Sequence, residues 1–444
     1  MNGYWNSSAD PGTYMHSDHH QSGFLNSSLS MWNVHDGGLS FISMDGSGTL
    51  ENPVVEYKSQ GVINTQVYAI AINPSTGSNG DFMMANQDND GFSREAGQWV
   101  SASAGDGVAC AINYSDPSIR YLGGTEGALT RSDQVQGYTG NYTGVQLNTP
   151  GNAEFIWPLS LDTTNPSKLF GGFDDMYVST DDGDNWTALN ANVGKPVSFD
   201  NQGNTIAVVG TAGLAYSNNG GTSWSTINQP ESEEINSFSI DAAAPATLYA
   251  TVKGYNNGNK VYKSTDSGNT WTNYSTDMPN ILMKKVLLMQ NQTEEYLFAA
   301  TELGVYYRSP GVTSWTKLGT NLPNVIVNDM KINYMNEKLY IGTYGRGMWE
   351  INVSTNTLSK DEVIQLGEVK VFPNPVKDDL LNVNVTSNLD SVDYVIYNIV
   401  GGVINRGQLS ATENTINLNQ PASGMYIIKL NVGNKSITKK FMVE

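Results

Sequence analysis

The sequence is poor in the features that mark several common classes of protein. One cysteine, Cys110, stands among 444 residues, which excludes an internal disulfide framework, and its apolar neighbours indicate a buried strand thiol. No apolar run approaches the roughly 20 residues that a membrane-spanning helix needs. Basic residues are scarce, with 24 Lys and Arg against 43 Asp and Glu. This balance argues against nucleic acid or an anionic membrane as a partner.

The acidic excess is confined to one part of the chain. Residues 366–444 hold seven acidic and seven basic side chains, whereas the first 365 residues hold 36 acidic and 17 basic ones. A chain of this length is too long for one compact core, so two or more domains are expected. An acidic surface is compatible with a soluble extracellular protein and with cation binding.

The C-terminal segment, residues 366–444, has the pattern of a small antiparallel β-sandwich. Alternating apolar positions such as Tyr394 and Ile396, or Met425 and Ile427, indicate short half-buried strands. Turns are predicted at 373–375, 401–402 and 423–424, where Pro, Asn, Ser and Gly cluster. Polar residues 353–365 are predicted to form a linker before this domain.

The same segment resembles, over its whole length, the C-terminal sorting domain of the bacterial type IX secretion system. The matching motifs are FPNP near its start, YNIVGGVI, SGMYIIKL and the terminal KKFMV. The resemblance implies that the type IX machinery is a partner and that the protein is secreted or attached at the outer-membrane surface. The start of the chain lacks a basic n-region and an apolar h-region. We therefore expect residues 1–352 to form an N-terminally truncated domain.

An internal repeat defines that first domain. The pattern S-x-D-x-G-x-x-W, or S-x-N-x-G-x-x-W, occurs three times, and a fourth copy from Ser309 to Trp315 is one residue short. The copies start 38 to 47 residues apart, which suits one four-stranded propeller blade per repeat. The repeat residues are Ser179, Asp181, Gly183, Trp186, Ser217, Asn219, Gly221, Trp224, Ser264, Asp266, Gly268 and Trp271.

Turn chemistry accounts for these residue types, so their role is predicted to be structural. Ser and Asp side chains can bond turn backbone, Gly can take a positive φ, and Trp can cap the blade. The repeat is that of the Asp-box, or BNR-repeat, propellers. About eight units can be drawn between residues 16 and 352, which predicts an all-β fold with a propeller of about seven to eight blades and an Ig-like sandwich.

Four motifs in the first 110 residues stand apart from the repeat: HSDHH at 16–20, DGG at 36–38, QDN at 87–89 and GDG at 105–107. Their order resembles exported Asp-box propellers related to sortilin-type domains and to xyloglucanase-like glycoside hydrolases. His35 and Asp90 depart from the pattern of that group. The resemblance implies the fold, and with it a possible activity on carbohydrate.

The first motif predicts a metal site. On a strand, His16, Asp18 and His20 would share one face, because side chains alternate. Two imidazoles and a carboxylate suit a divalent cation. The alternative is a hydrogen-bonded polar strand end at the mouth of the channel.

The other motifs predict a carboxylate site. Asp36 and Asp106 are the candidate catalytic pair, since glycoside hydrolysis needs an acid and a base, and Asp18, Asp88 and Asn89 are candidate binding residues. The alternative is that Asp-Gly is simply a favoured turn dipeptide. Two functions therefore stay open: a glycoside hydrolase, or a non-enzymatic propeller for adhesion to polysaccharide or a surface protein. Sialidase chemistry is disfavoured, because only five arginines are scattered over residues 1–352.

Overall fold

The computed structural model describes residues 16, 18–25, 30–44, 53–59, 61–73, 81–89, 91–95, 97–101, 105–132, 144–230, 233–354, 358, 369–385, 391–399, 401–410, 414–432 and 435–444. The chain divides into two compact units, Met1–Thr355 and Asn356–Glu444. The described residues are built mainly of β-strands, with a short 3-10 helix at Thr125–Gly127. The all-β prediction is confirmed.

Eight antiparallel sheets follow one another along the described part of the first unit. In each sheet the strands pair in chain order, so each sheet is an up-and-down meander. The first four sheets are β1 (His19–Phe24), β2 (Met31–His35), β3 (Gly38–Met44) and β4 (Pro53–Tyr57); β5 (Val67–Ile72), β6 (Phe82–Asn86), β7 (Gly91–Glu95) and β8 (Gln98–Ser101); β9 (Ala109–Ile112), β10 (Arg120–Gly123), β11 (Leu129–Ser132) and β12 (Val145–Gln146); β13 (Leu159–Leu161), β14 (Leu169–Gly172), β15 (Met176–Ser179) and β16 (Thr187–Ala188).

The remaining four sheets of this unit continue the same order. They are β17 (Pro196–Gln202), β18 (Thr205–Gly210), β19 (Leu214–Ser217) and β20 (Ser225–Thr226); β21 (Ile235–Ile240), β22 (Leu248–Val252), β23 (Val261–Ser264) and β24 (Thr272–Asn273); β25 (Met283–Leu288), β26 (Leu297–Thr301), β27 (Gly304–Arg308) and β28 (Thr316–Lys317); and β29 (Val327–Asn333), β30 (Lys338–Thr343) and β31 (Gly347–Asn352).

The second to eighth of these sheets close into a ring. Their innermost strands β5, β9, β13, β17, β21, β25 and β29 line a central channel, and β29 packs back against β5. Hydrogen bonds join the last blade to the first: the Asn328 side chain donates to the Val67 carbonyl at 2.9 Å, and the Ile70 amide donates to the Asp329 carboxylate at 3.0 Å. Among the described residues the propeller ring thus has seven blades.

The blade strands carry runs of consecutive apolar residues because neighbouring blades cover both of their faces. Strand β22 is buried at all five positions, and β26 likewise. Val261, Val286 and Leu297 in adjacent blades have no solvent exposure and belong to one core cluster. The core of the first unit therefore consists of layers between blades, each filled by residues of two neighbouring sheets.

The sheet β1–β4 lies beside the ring rather than in it. The Nε2 of His16, which precedes β1, donates to the Asp88 carbonyl at 3.0 Å, and the Asn89 side chain donates to the Asp36 carbonyl at 3.1 Å. The predicted eight units are thus eight sheets, of which seven form the closed propeller. The remaining sheet, β1–β4, meets the ring at the connection between β6 and β7.

The three full copies of the repeat form the same turn between the third and fourth strands of successive blades. In the first copy the Ser179 hydroxyl donates to Asp181 at 2.8 Å and accepts the Gly183 amide at 2.9 Å. Asp181 also accepts the Asn185 amide at 2.9 Å. Gly183 has a φ of 88°, a conformation that favours glycine. The corresponding bonds recur around Ser217 and Ser264, so the predicted turn chemistry is present.

Two of the three tryptophans in these turns link one blade to the next. Trp224 Nε1 donates to the carbonyl of Leu189, and Trp271 Nε1 to that of Asn228, in each case just after the preceding blade. Trp186 instead donates to Gly183 in its own turn. The predicted cap is therefore, in two of the three copies, a bond between blades.

The second unit contains two sheets in its described residues. One is β32 (Val369–Phe372), β33 (Leu380–Val385) and β36 (Thr415–Asn417); the other is β34 (Ser391–Asn398), β35 (Val403–Ser410), β37 (Gly424–Val432) and β38 (Lys435–Val443). Leu381, Val383, Ile396 and Ile428 from both sheets form one buried core, as in a sandwich. On β37 the core positions are Tyr426, Ile428 and Leu430, while Met425 is 44% exposed. The alternation was predicted from Met425 and Ile427, so the face of this strand that is buried in the core is the opposite one.

Candidate functional site

Side chains from three separate connections meet at one end of the ring. Asp36 lies in the turn between β2 and β3, Asp88 between β6 and β7, and Asp106 just before β9. The Asp88 amide donates to the Asp106 carboxylate at 2.8 Å, and Asn89 binds the backbone of Asp36. The proximity expected from sequence is therefore observed. We call the following side chains the histidine–aspartate cluster: His16, Asp18, His19, His20, His35, Asp36, Asp88 and Asp106.

His20 and Asp36 form an ion pair at the rim of this cluster. The His20 side chain is 61% exposed and that of Asp36 is 23% exposed. The hydrogen bond that His20 donates to Asp36, and then the charge of Asp36, raise the pKa of His20 above its ordinary value. The pair holds the Asp36 carboxylate in place beside solvent.

Below the rim, two imidazoles are buried. His16 and His35 stack with ring centroids 5.7 Å apart, and their side chains are almost fully buried. Burial, followed by the charges of neighbouring histidines, lowers the pKa of His35 to about 4, so His35 is neutral at neutral pH. A Cβ on Gly37 would lie 2.9 Å from His16, which explains the small residue after Asp36.

Asp88 lies at the centre of the cluster in a left-handed backbone conformation, with a φ of 54°. Asn89 braces this turn, since its side chain donates to the carbonyls of both Gln87 and Asp36 at 3.1 Å. Burial raises the pKa of Asp88, and the negative charges of Asp106 and Asp36 raise it further. Neighbouring carboxylates disfavour ionisation in this way wherever they are placed together. Asp88 is thus a carboxyl group that retains its proton to higher pH than an ordinary aspartate.

Tyr68 and Tyr344 form a pair next to Asp88 that was not predicted from the sequence. The side-chain oxygen of Gln87 accepts hydrogen bonds from Tyr68, at 2.7 Å, and from Tyr344. The two tyrosine rings lie 6.0 Å apart. Tyr68 is on the first ring blade and Tyr344 on the last, so only closure of the ring brings them together. No short-range pattern could have identified this pair.

The predicted strand face for a metal is wrong. Strand β1 begins at His19, and Asp18 has a φ of 59°, which breaks the extended backbone before His20. His16 lies outside the strand and its Nε2 is bonded to the Asp88 carbonyl. Across the part of the chain that the structure describes, no group of three or more His, Cys, Asp or Glu side chains is arranged to hold a metal ion.

The other residues predicted from the sequence form two groups, one in the histidine–aspartate cluster and one in the repeat turns. Asp36, Asp88, Asn89 and Asp106 lie together, and exposed Asp18 lies near enough for its charge to raise the pKa values of His20 and Asp88. The repeat residues lie elsewhere, in the turns between third and fourth strands. The arrangement in the cluster offers one carboxyl whose pKa is raised, two further carboxyl groups beside it and amide donors. These are the groups that acid–base chemistry on a polar substrate requires.

Comparison with known proteins supports the export prediction. Residues 370–444 match the family described as secretion system C-terminal sorting domain. The protein is therefore a type IX-sorted β-propeller protein, secreted or located at the outer-membrane surface. In the described residues, no helix is both long enough and apolar enough to span a membrane.

Solved structures with the same fold include a GH74 xyloglucanase from Xanthomonas campestris, with 14% identity and a TM-score of 0.52. The match covers 85% of this chain and 66% of that one. PorZ, a surface component of the type IX secretion system of Porphyromonas gingivalis, matches with 16% identity and a TM-score of 0.48 over 96% of this chain and 66% of its own. At 14% identity the likeness to the xyloglucanase shows the fold alone.

A curated relative, the funoran endo-beta-hydrolase of Wenyingzhuangia aestuarii, is 23% identical over 120 residues. The alignment covers 26% of this chain and 16% of the relative. The chain thus aligns with a small part of that enzyme.

Proposed function

We propose that the protein is an exported carbohydrate-active propeller that hydrolyses a glycosidic bond at the histidine–aspartate cluster. The observation that carries the proposal is the convergence of Asp36, Asp88 and Asp106, from three connections, around one carboxyl whose pKa is raised. A polysaccharide is the proposed substrate class. The activities for which the xyloglucanase and the funoran hydrolase are named support this choice.

In this proposal Asp88 is the proton donor. A general acid must hold its proton at the working pH, and burial together with neighbouring carboxylates raises the pKa of Asp88. Tyr68 and Tyr344 fix Gln87 next to it. Asp88 would give its proton to the oxygen of the leaving sugar as the glycosidic bond breaks.

Asp36 is the proposed partner of this acid. Its side chain is partly exposed and is paired with His20. It would take the proton of the attacking water or stabilise the cationic sugar. Asp106 accepts the Asp88 amide and therefore positions the acid while raising its pKa. This assignment refines the pair predicted from sequence, with Asp106 acting through Asp88.

The test is a hydrolysis assay on β-linked polysaccharides, including xyloglucan and funoran, with the full chain and three variants. Asp88→Asn and Asp36→Asn should abolish release of reducing ends. Asp106→Asn keeps an acceptor oxygen but removes a charge, so activity should persist with its alkaline limb moved to lower pH. An unchanged limb would contradict the role given to Asp106.

A non-enzymatic function is the second candidate, because the same donors and acceptors could bind a glycan without cleaving it. Saturable binding of a polysaccharide by the wild type, with no hydrolysis of any member of the panel, would replace the hydrolase by an adhesion protein. Loss of that binding in Asp36→Asn would still place the ligand at the cluster.

Binding of a divalent cation by His16, Asp18 and His20 stays a prediction. Calorimetric titration with Ca²⁺ and Zn²⁺ tests it, since carboxylates favour calcium and imidazoles favour zinc. Saturable binding that disappears in His20→Gln would support the site, and equal heats for both proteins would remove it.

A further inference from the structure

A cavity opens at the end of the channel opposite to the histidine–aspartate cluster. Its volume is about 680 Å³, which is the size of a small-molecule site. Its wall is formed by the ends of the innermost strands and by the connections from these strands to the second strands of their blades. The residues used below are Tyr114, Asp200, Gln290, Lys331 and Tyr334.

Lys331 lines this cavity, and Lys285 lines the adjoining channel. Lys285 is bonded to Asp329 at 2.5 Å, so its charge is balanced locally. Lys331 makes no ion pair within 4.0 Å among the described residues. The charge of Lys285 lowers the pKa of Lys331, and the nearby carboxylates Asp329 and Asp200 oppose that shift only in part. An anion bound beside Lys331 would therefore stabilise its ammonium form.

Asp200, a carboxyl group that also lines the cavity, is already engaged. Asp200 accepts the Ile240 amide at 2.7 Å and the Asn201 amide at 3.0 Å. Burial raises the pKa of Asp200. An anion entering the cavity would therefore meet the Lys331 ammonium and a carboxyl group whose oxygens already accept two backbone amides.

Two phenol groups complete the lining. The Tyr114 hydroxyl is buried and has no hydrogen-bond partner among the described residues. The Tyr334 hydroxyl accepts the Gln290 amide at 2.9 Å, which leaves its own proton free to donate. Buried polar atoms are nearly always satisfied in folded proteins, so an orphaned hydroxyl at a cavity wall marks a place where a ligand atom can bind.

We propose that this cavity is a binding site for a small anion that carries a carboxylate or sulfate group, free or on a sugar, held by Lys331, Tyr114 and Tyr334. The ammonium supplies the charge, and the two hydroxyls donate hydrogen bonds to anionic oxygens, as such groups do in other anion sites. The site is separate from the histidine–aspartate cluster and does not depend on the proposed hydrolase activity.

The experiment is calorimetric titration of the full chain with sodium glucuronate, sodium sulfate and, as a neutral probe, glucose, at constant ionic strength. Glucuronate, sulfate or both should bind saturably, and glucose should not. Binding of sulfate alone identifies a free-anion site, and binding of glucuronate alone identifies a sugar-acid site. Lys331→Met should weaken binding at least tenfold and Tyr114→Phe several-fold.

Lys253→Met is the matched control, because it removes the same charge from an exposed lysine paired with Glu234. Its affinity should equal that of the wild type. Should Lys331→Met not fold, Lys331→Arg and Tyr114→Phe carry the test, with retained binding expected for the first and weakened binding for the second. No saturable anion binding to the wild type, or equal losses in Lys331→Met and Lys253→Met, would overturn the proposal.

Discussion

Aspartates occupy turns in two regions of the propeller, and their acidities differ in direction. In the repeat turns Asp181 and Asp266 accept hydrogen bonds from the side chains and amides of Asn185 and Thr270, and these bonds lower their pKa values. In the histidine–aspartate cluster, burial and neighbouring carboxylates raise the pKa of Asp88. The same residue type thus closes a turn in one place and retains a proton in the other.

The difference arises from what surrounds each carboxylate. A repeat aspartate is satisfied by its own turn within four residues, so its ionised form is stabilised and nothing is left to react. Asp88 is surrounded by groups from other connections, including Asp106 and Asp36, that disfavour its charge. Turn aspartates of the first kind build the blade, whereas the second kind is a candidate for chemistry.

The largest expected effect is on activity and separates the two regions directly. Asp88→Asn should lower hydrolysis by about 10²–10⁴-fold, the contribution of a positioned general acid, with an unchanged melting temperature. The control is Asp266→Asn, which should leave hydrolysis unaltered. Equal losses in both variants, in an assay of reducing ends, would remove the distinction between the regions.

The next effect is on stability. Trp271→Ala removes a half-buried ring that bonds the carbonyl of Asn228 and stacks on Phe238. We expect a loss of about 2–3 kcal/mol, below the 3–5 kcal/mol typical of a fully buried tryptophan. Chemical denaturation measures this loss, and polysaccharide binding below the transition should be retained. Lost binding with unchanged stability would assign the repeat to function.

A smaller effect distinguishes two substitutions at one repeat position. Asp266→Ala should cost about 1–3 kcal/mol, because the amide of Thr270 and the hydroxyl of Ser264 lose their acceptor. Asp266→Asn should be nearly neutral, since Asn219 makes the corresponding bonds in the second copy. Denaturation midpoints of the two variants provide the comparison, and a similar loss in both would contradict it.

The last expected effect is a pH dependence that belongs to the cluster. His35 has a pKa of about 4 in the folded protein against an ordinary value of 6.5. The unfolded chain therefore binds a proton more readily, and stability contributed by neutral His35 is lost as pH falls from about 6.5 to about 4. His35→Gln should reduce this slope of melting temperature against pH. The repeat variant Asp266→Asn should not.

Local patterns allowed much of the fold to be predicted. The spacing of the repeat indicated four-stranded blades, and its Ser, Asp and Gly residues formed the expected turns because all their bonds lie within five residues. The alternation in residues 366–444 indicated the sandwich, and the motifs there indicated the sorting domain. The separation of β1–β4 from the ring could not be predicted, because it depends on which inner strands pack together.

By itself the sequence determined the elements, the repeat, the route of export and the residue types of the candidate site. Only the tertiary structure decided that Asp36 and Asp106 lie beside Asp88 and raise its pKa, that His16 bonds backbone instead of lying on a strand face with His20, and that ring closure joins Tyr68 to Tyr344. The reason is physical: turn and strand preferences act over a few residues, whereas burial and charge coupling depend on groups that lie tens to hundreds of residues apart until the ring closes.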